Sequence, residues 1–238
     1  MLIIAEIGQN HNGDIDLAKR MIRIAKERGA DTAKFQLYDV DKIFGPDFKW
    51  YKEAKAAQLS KEGIFELAKE CANTGIEFLA SVFDLERFGW TEELGMKRYK
   101  IASRSIYEER LVKAIAKTGK DIIVALGMYN ENGFPEIATT GKVDYLYCVS
   151  RYPAMPKDLN LINIDFNKYA GFSDHTIGIT ASLIAMARGA KIIEKHFTLD
   201  KTMHGPDHSG SMDPDELSAI AGYARRIEEI LYHYTFQP

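Results

Sequence analysis

Short apolar runs alternate with amphipathic stretches from one end of the chain to the other. Eight of the runs read as β-strands: Leu2–Ile7, Thr32–Leu37, Glu77–Phe83, Arg98–Ala102, Ile122–Leu126, Val143–Val149, Gly171–Ser173 and Lys191–Phe197. Helical patterning covers Ile15–Arg28, Lys61–Asn73, Tyr107–Thr118, Ile179–Arg188 and Asp213–Tyr232. In the first of these, Leu17, Ile22 and Ile24 supply the apolar positions. The last opens on Asp213-Pro214, a capping carboxylate followed by proline at the first helical position. Gly29, Gly75, Gly119 and Gly189 each stand between a helix and the next strand, where a left-handed cap favours glycine. A βαβα order predicts a parallel sheet. Eight units in 238 residues, about 30 residues each, predict a (β/α)8 TIM barrel that uses residues 1–238 as one domain. A doubly wound open sheet is the rival, although no GxGxxG follows the first strand.

Period-two alternation sorts each strand into two faces. Ile3, Ala5 and Ile7 oppose Leu2, Ile4 and Glu6; Ala33, Phe35 and Leu37 oppose Lys34 and Gln36. Tyr99 and Ile101 oppose Lys100 and Ala102, and Ile193 and Phe197 oppose Ile192, Glu194 and His196. Strands covered on both faces should be almost wholly apolar. Glu6, Lys34, Lys100 and Glu194 break that rule, each late in its strand, at the end where barrel active sites lie. They form either a structural ion-pair network or the floor of a charged site. His175 and His196 end neighbouring strands, and two neutral imidazoles with open positions suit a divalent metal. Asp174 stands next to His175 as a carboxylate that could orient it. His204-Gly205-Pro206-Asp207-His208-Ser209-Gly210, beyond the last strand, is either a surface turn or a functional loop.

Composition narrows the classes. Lys plus Arg is 31 against 34 for Asp plus Glu, a formal charge of −3, so the basic excess of a nucleic-acid binder is missing. No apolar run approaches the roughly 20 residues of a membrane span, and Glu6 interrupts the only run near a signal-peptide position. Two cysteines, Cys71 and Cys148, make neither a disulfide framework nor a metal cluster, and fit packed, reduced thiols in a cytoplasmic protein.

Several segments together carry a family resemblance. They are Ala5-Glu6-Ile7-Gly8-Gln9-Asn10-His11-Asn12-Gly13, Lys34-Phe35-Gln36, Lys100-Ile101-Ala102-Ser103, Tyr152-Pro153, Gly171-Phe172-Ser173-Asp174-His175-Thr176, Glu194-Lys195-His196-Phe197-Thr198 and Gly205-Pro206-Asp207-His208. In this order, over nearly the whole chain, they resemble the sialic acid synthases, the N-acetylneuraminate synthase-type barrels. That resemblance implies condensation of phosphoenolpyruvate with the open-chain aldehyde of an N-acetylated amino sugar, giving a nonulosonic acid and phosphate. It implies that His175 and His196 hold a divalent metal, usually manganese with magnesium or cobalt as alternatives, acting as a Lewis acid on the aldehyde. Lys34 and Lys100 would meet the anionic substrate, and Ser81, Ser103 and Ser173 would donate to its oxygens. Glu6 would orient water or a sugar hydroxyl. Gln36, Tyr152 and Asp207 match positions near the sugar, and Ser150 falls where the family has asparagine.

There are departures. Ala125-Leu126 replaces a family Ser-Thr, Ser105 replaces a carboxylate, and Ser81 replaces threonine. Family members usually continue into a small antifreeze-like domain, whereas this sequence stops at Pro238. The expectation is therefore a barrel domain, homodimeric by resemblance. Its sugar site would be more open, completed by a separate polypeptide, or built for another acceptor. The other readings are a family barrel with a different phosphoenolpyruvate acceptor and a non-catalytic partner subunit.

Overall fold

The computed structural model describes residues 1–232. Eight parallel strands close into a barrel in chain order. They are β1 (Leu2–Gly8), β2 (Thr32–Leu37), β3 (Glu77–Val82), β4 (Arg98–Ile101), β5 (Asp121–Ala125), β6 (Val143–Cys148), β7 (Gly171–Asp174) and β8 (Ile192–His196). The open-sheet alternative fails at one seam: β1 pairs with β8 from Leu2↔Ile192 to Glu6↔His196. Five strands end one residue before the apolar run does; Leu126 and Phe197, just past two of those ends, are still buried.

The helices are α1 (Ile15–Glu27), α2 (Val40–Ile43), α3 (Tyr51–Ala56), α4 (Lys61–Thr74), α5 (Leu85–Glu93), α6 (Glu109–Ala116), α7 (Thr180–Ala187) and α8 (Pro214–Tyr232). In α1, Asp14 caps the backbone N–H groups of Asp16 and Leu17. Its buried stripe is Ala18, Met21, Ile22 and Ala25, spaced to lie along one face, while Leu17 and Ile24 sit at its margins. Asp213 caps α8 by accepting from the N–H groups of Asp215 and Glu216 at 3.0 and 2.9 Å, as the sequence implies. All four inter-element glycines have positive φ, which an L side chain rarely adopts.

The repeat is irregular on one flank. Among the described residues, no helix lies between β5 and β6, and only two 3-10 turns, Pro156–Asp158 and Leu161–Asn163, lie between β6 and β7. Phe134 packs there against Tyr145 and Tyr169 at ring distances of 4.8 and 4.9 Å, and Tyr145 Oη donates to the Pro135 carbonyl. Aromatic packing from a loop thus covers strand faces that helices cover elsewhere. Both cysteines are free and buried. Among the described residues no helix is long and apolar enough to cross a membrane.

Candidate active site

The four charges that interrupt the apolar strands converge inside the barrel. Lys34 Nζ lies 2.9 Å from Glu6 Oε2 and 3.6 Å from Glu194 Oε2, and Lys100 Nζ lies 3.3 Å from Glu194 Oε1. All four side chains are at most 7% exposed. Strand register makes this possible, since Glu6 stands opposite Lys34 on β2 and opposite His196 on β8. Burial alone would push Glu194 up, but Lys100 and Lys34 together hold it down at about 2. Burial also works against the charge on Lys34, yet Glu194 and Glu6 raise it above the usual lysine range. For Lys100 burial wins and the ammonium titrates below that range.

Short polar side chains complete this floor. Ser81 Oγ accepts from Lys34 Nζ at 3.3 Å, and Ser173 Oγ donates to Glu194 Oε1 at 3.0 Å. Gln36 Nε2 donates to Glu6 Oε1 at 2.7 Å. Above the floor opens a cleft of about 690 Å³, at the C-terminal ends of the strands. Of the residues singled out from sequence, Gln36, Ser103, Ser150, Tyr152, His196 and Asp207 line it. Glu6, Lys34, Ser81, Lys100, Ser173 and His175 stand behind that lining.

His175 and His196 meet with ring centroids 5.8 Å apart, and Tyr152 packs over both at 4.3 and 6.1 Å. His175 Nδ1 is 3.0 Å from the Val149 carbonyl, which leaves Nε2 free. His196 Nδ1 is buried without a hydrogen-bond partner and lies 3.7 Å from Asp207 Oδ2. Burial lowers the His196 pKa against the pull of Asp207, which keeps the ring neutral and its lone pair available. Among the described residues no three His, Cys, Asp or Glu side chains gather tightly enough to hold a metal by themselves. The donor set is two imidazoles, and the remaining positions of any cation would go to water or substrate. A buried imidazole nitrogen without a partner fits such an ion.

Asp174 makes no hydrogen bond to His175. Its carboxylate turns outward, to Thr176, Ser182 and Lys195. The loop beyond β8 is stitched into the site rather than being a bare turn. Thr198 Oγ1 and His208 Nδ1 are 2.7 Å apart, and His208 Nε2 is 3.2 Å from Asn12 Oδ1. Asn10 Nδ2 donates to the Phe197 carbonyl and to Ser211 Oγ, both at 2.9 Å. Ser211 Oγ in turn holds the Asp207 carbonyl at 2.8 Å.

Sequence reasoning missed part of the wall: Phe44 and Phe48 from the segment around α2, and Arg104, Tyr107 and Glu108 beyond β4. Arg104 Nη2 donates to the Ile43 carbonyl at 3.2 Å, and its guanidinium lies 5.3 Å from the Phe44 ring. Ser103 Oγ accepts from Gly127 N at 3.1 Å, and Ser150 Oγ is 3.8 Å from Cys148 Sγ.

Residues 21–235 match the profile of the NeuB family. The chain is 37% identical over 257 residues to the N,N'-diacetyllegionaminic acid synthase of Campylobacter jejuni, covering 97% of this chain and 77% of that one. It is 36% identical over 253 residues to the N-acetylneuraminate-9-phosphate synthase of Homo sapiens, covering 96% and 70%. Among solved structures, the N-acetylneuraminic acid synthetase of Leptospira borgpetersenii, crystallised with citrate, superposes with a TM-score of 0.89. That match has 33% identity and covers 100% of this chain and 87% of the other.

Proposed function

Since the chain belongs to the NeuB family, we propose that it condenses phosphoenolpyruvate with the aldehyde of an N-acetylated amino sugar, forming a nonulosonic acid and releasing phosphate. The observation that carries this reading is the buried Glu6–Lys34–Glu194–Lys100 floor beneath two converging histidines. A floor that is neutral overall, yet has two ammonium groups below an open cleft, can exchange carboxylate partners for the oxygens of a trianion. In the reaction, C3 of phosphoenolpyruvate bonds to the aldehyde carbon, water adds at C2, and phosphate leaves from C2.

Lys34 and Lys100 bind and neutralise the phosphoenolpyruvate anion. Ser103, Ser81 and Ser173 offer hydroxyls to its oxygens. Glu6 holds the water or a sugar hydroxyl, with Gln36 fixing its second oxygen. His175 and His196 would hold a divalent cation, manganese in the first instance, which when bound polarises the sugar aldehyde as a Lewis acid. Tyr152 and Asp207 stand where the sugar must approach. Arg104 and Ser105 also line this wall. Ser105 in place of a family carboxylate makes the acceptor the part most open to difference from the relatives.

The test is phosphate release from phosphoenolpyruvate with manganese, over a panel of N-acetylated amino sugars, with an EDTA control. Release with one sugar, abolished by EDTA and by His196→Ala in a folded variant, is the expected result. Phosphate release that ignores EDTA and survives His196→Ala would remove the cation from the scheme. A protein that binds neither manganese nor phosphoenolpyruvate would overturn the synthase reading.

A further inference from the structure

The ends of β7 and β8 set side chains against one another at three successive positions. The first faces the barrel interior, where Ser173 donates to Glu194. The third also faces the interior and is the pair His175 and His196. The middle rung, Asp174 opposite Lys195, faces outward. Lys195 Nζ is 3.3 Å from Asp174 Oδ2 and donates to the Thr176 carbonyl at 2.5 Å. Asp174 Oδ1 accepts from the Thr176 N–H and hydroxyl, both at 2.8 Å, and Oδ2 accepts from Ser182 Oγ of α7 at 2.6 Å.

The two side chains are 0% and 1% exposed. On the outer face of a barrel strand, under a helix, apolar residues are the rule and a buried ion pair is costly. This pair contacts neither imidazole through any hydrogen bond. It does grip the chain on both sides of His175: Asp174 precedes the histidine, and Thr176 after it is held at its N–H, hydroxyl and carbonyl. Lys195 is in turn the residue that precedes His196. One outward ion pair therefore joins the neighbours of both histidines.

We propose that Asp174 and Lys195 are positioning residues, a buried cross-strand clamp that sets the separation and aim of His175 and His196 so that the two imidazoles can share a divalent cation. The clamp rests on the reading of those histidines as a cation site. A strap that merely fastens α7 through Ser182 would instead affect stability alone, and any loss of cation binding would follow the loss of fold.

The test uses the full chain, manganese alone as probe, free manganese measured by paramagnetic resonance, and a thermal melt of each variant. Lys195→Met and Asp174→Asn each leave a buried group without its counter-charge, so both Tm and manganese affinity fall. The double variant has no unpaired buried charge. Its Tm returns to within a few degrees of the wild type, while its manganese affinity stays about tenfold or more weaker, the scale seen when groups that orient metal ligands are removed. Ser182→Ala loosens α7, lowering Tm with manganese affinity within about twofold of wild type. A double variant with restored Tm and wild-type affinity overturns the clamp, as does a Ser182→Ala variant that loses as much affinity as Asp174→Asn. Wild-type protein that fails to bind manganese overturns the cation reading itself, a separate result from either.

Discussion

Two flanks of the same barrel are built on different terms. Across β7, β8, β1 and β2, strand ends are tied by charged and polar side chains: Ser173 to Glu194, Asp174 to Lys195, Glu194 to Lys34, Glu6 to Lys34. On the β5–β6 flank the strands carry Ile122, Ile123, Val124, Ala125 and Leu146, all buried and apolar, and a loop with Phe134 replaces a helix outside. Backbone ladder and close packing suffice to close a barrel, as the apolar flank demonstrates. The buried charges opposite are therefore not a requirement of the fold. They add desolvation cost, for which the proposed binding of an anionic substrate supplies a reason.

Substitutions on the two flanks should separate stability from turnover. Lys34→Met leaves Glu6 buried without its ion-pair partner and Glu194 with Lys100 beside it. Turnover should drop by about 10²–10³, and stability by about 3–5 kcal/mol, read by phosphate release and denaturant melts. Ile122→Val on the plain flank should cost about 0.5–1.5 kcal/mol with turnover unchanged. A loss of turnover there comparable to Lys34→Met would break the division.

Acid should strike the charged side first. His11, fully buried in the loop after β1, has its pKa lowered from 6.5 to about 4, chiefly by burial, partly offset by Asp14. Above pH 6.5 neither the folded nor the unfolded form is protonated there. Between 6.5 and 4 only the unfolded chain takes up the proton, so stability falls with pH and levels off below 4, by about 3 kcal/mol from this residue. His11→Asn keeps an acceptor for the Gly13 N–H, which the native Nδ1 receives at 3.1 Å, and should remove that part of the pH slope. An unchanged slope in denaturant titrations would assign the acid sensitivity elsewhere.

The smallest effect is expected at Ala125, which shares a face with Ile123, the residue opposite the inward Lys100. Ala125→Ser restores a hydroxyl at the edge of the floor and should lower KM for phosphoenolpyruvate about two- to fivefold, with kcat nearly constant. A raised KM would show that the plain flank tolerates no polar group.

What could be read from the sequence follows from which forces are local. Glu6, Lys34, Lys100 and Glu194 stood out because a charge in an otherwise apolar strand is visible without knowing the partner. His196 followed from the same alternation, and His175 from its place at the end of the neighbouring strand. Asp174, expected to touch His175 directly, instead faces the other side of the strand, because sequence adjacency says nothing of which strand face a carboxylate takes. Helix α5 escaped the reading although Asp84 caps it, because its apolar positions are few and it buries mainly Arg87 and Thr91. Helices α2 and α3 are too short for a periodic signal. Arg104, Phe44 and Phe48 reach the cleft from loops, and their meeting depends on contacts between segments about 60 residues apart, such as Arg104 to Ile43.

The seam between β1 and β8 also sets an order in time. A ribosome makes Glu6 and Lys34 about 160 residues before it makes Glu194 and His196. Until the eighth strand docks, Lys34 lacks one of its two carboxylates, Glu6 lacks its neighbour His196, and no cleft has a floor. Nascent barrels are thus chemically silent whatever secondary structure they have gained. Because loop closure over nearly the whole chain must precede the site, the first turnover of a refolding sample reports ring closure itself.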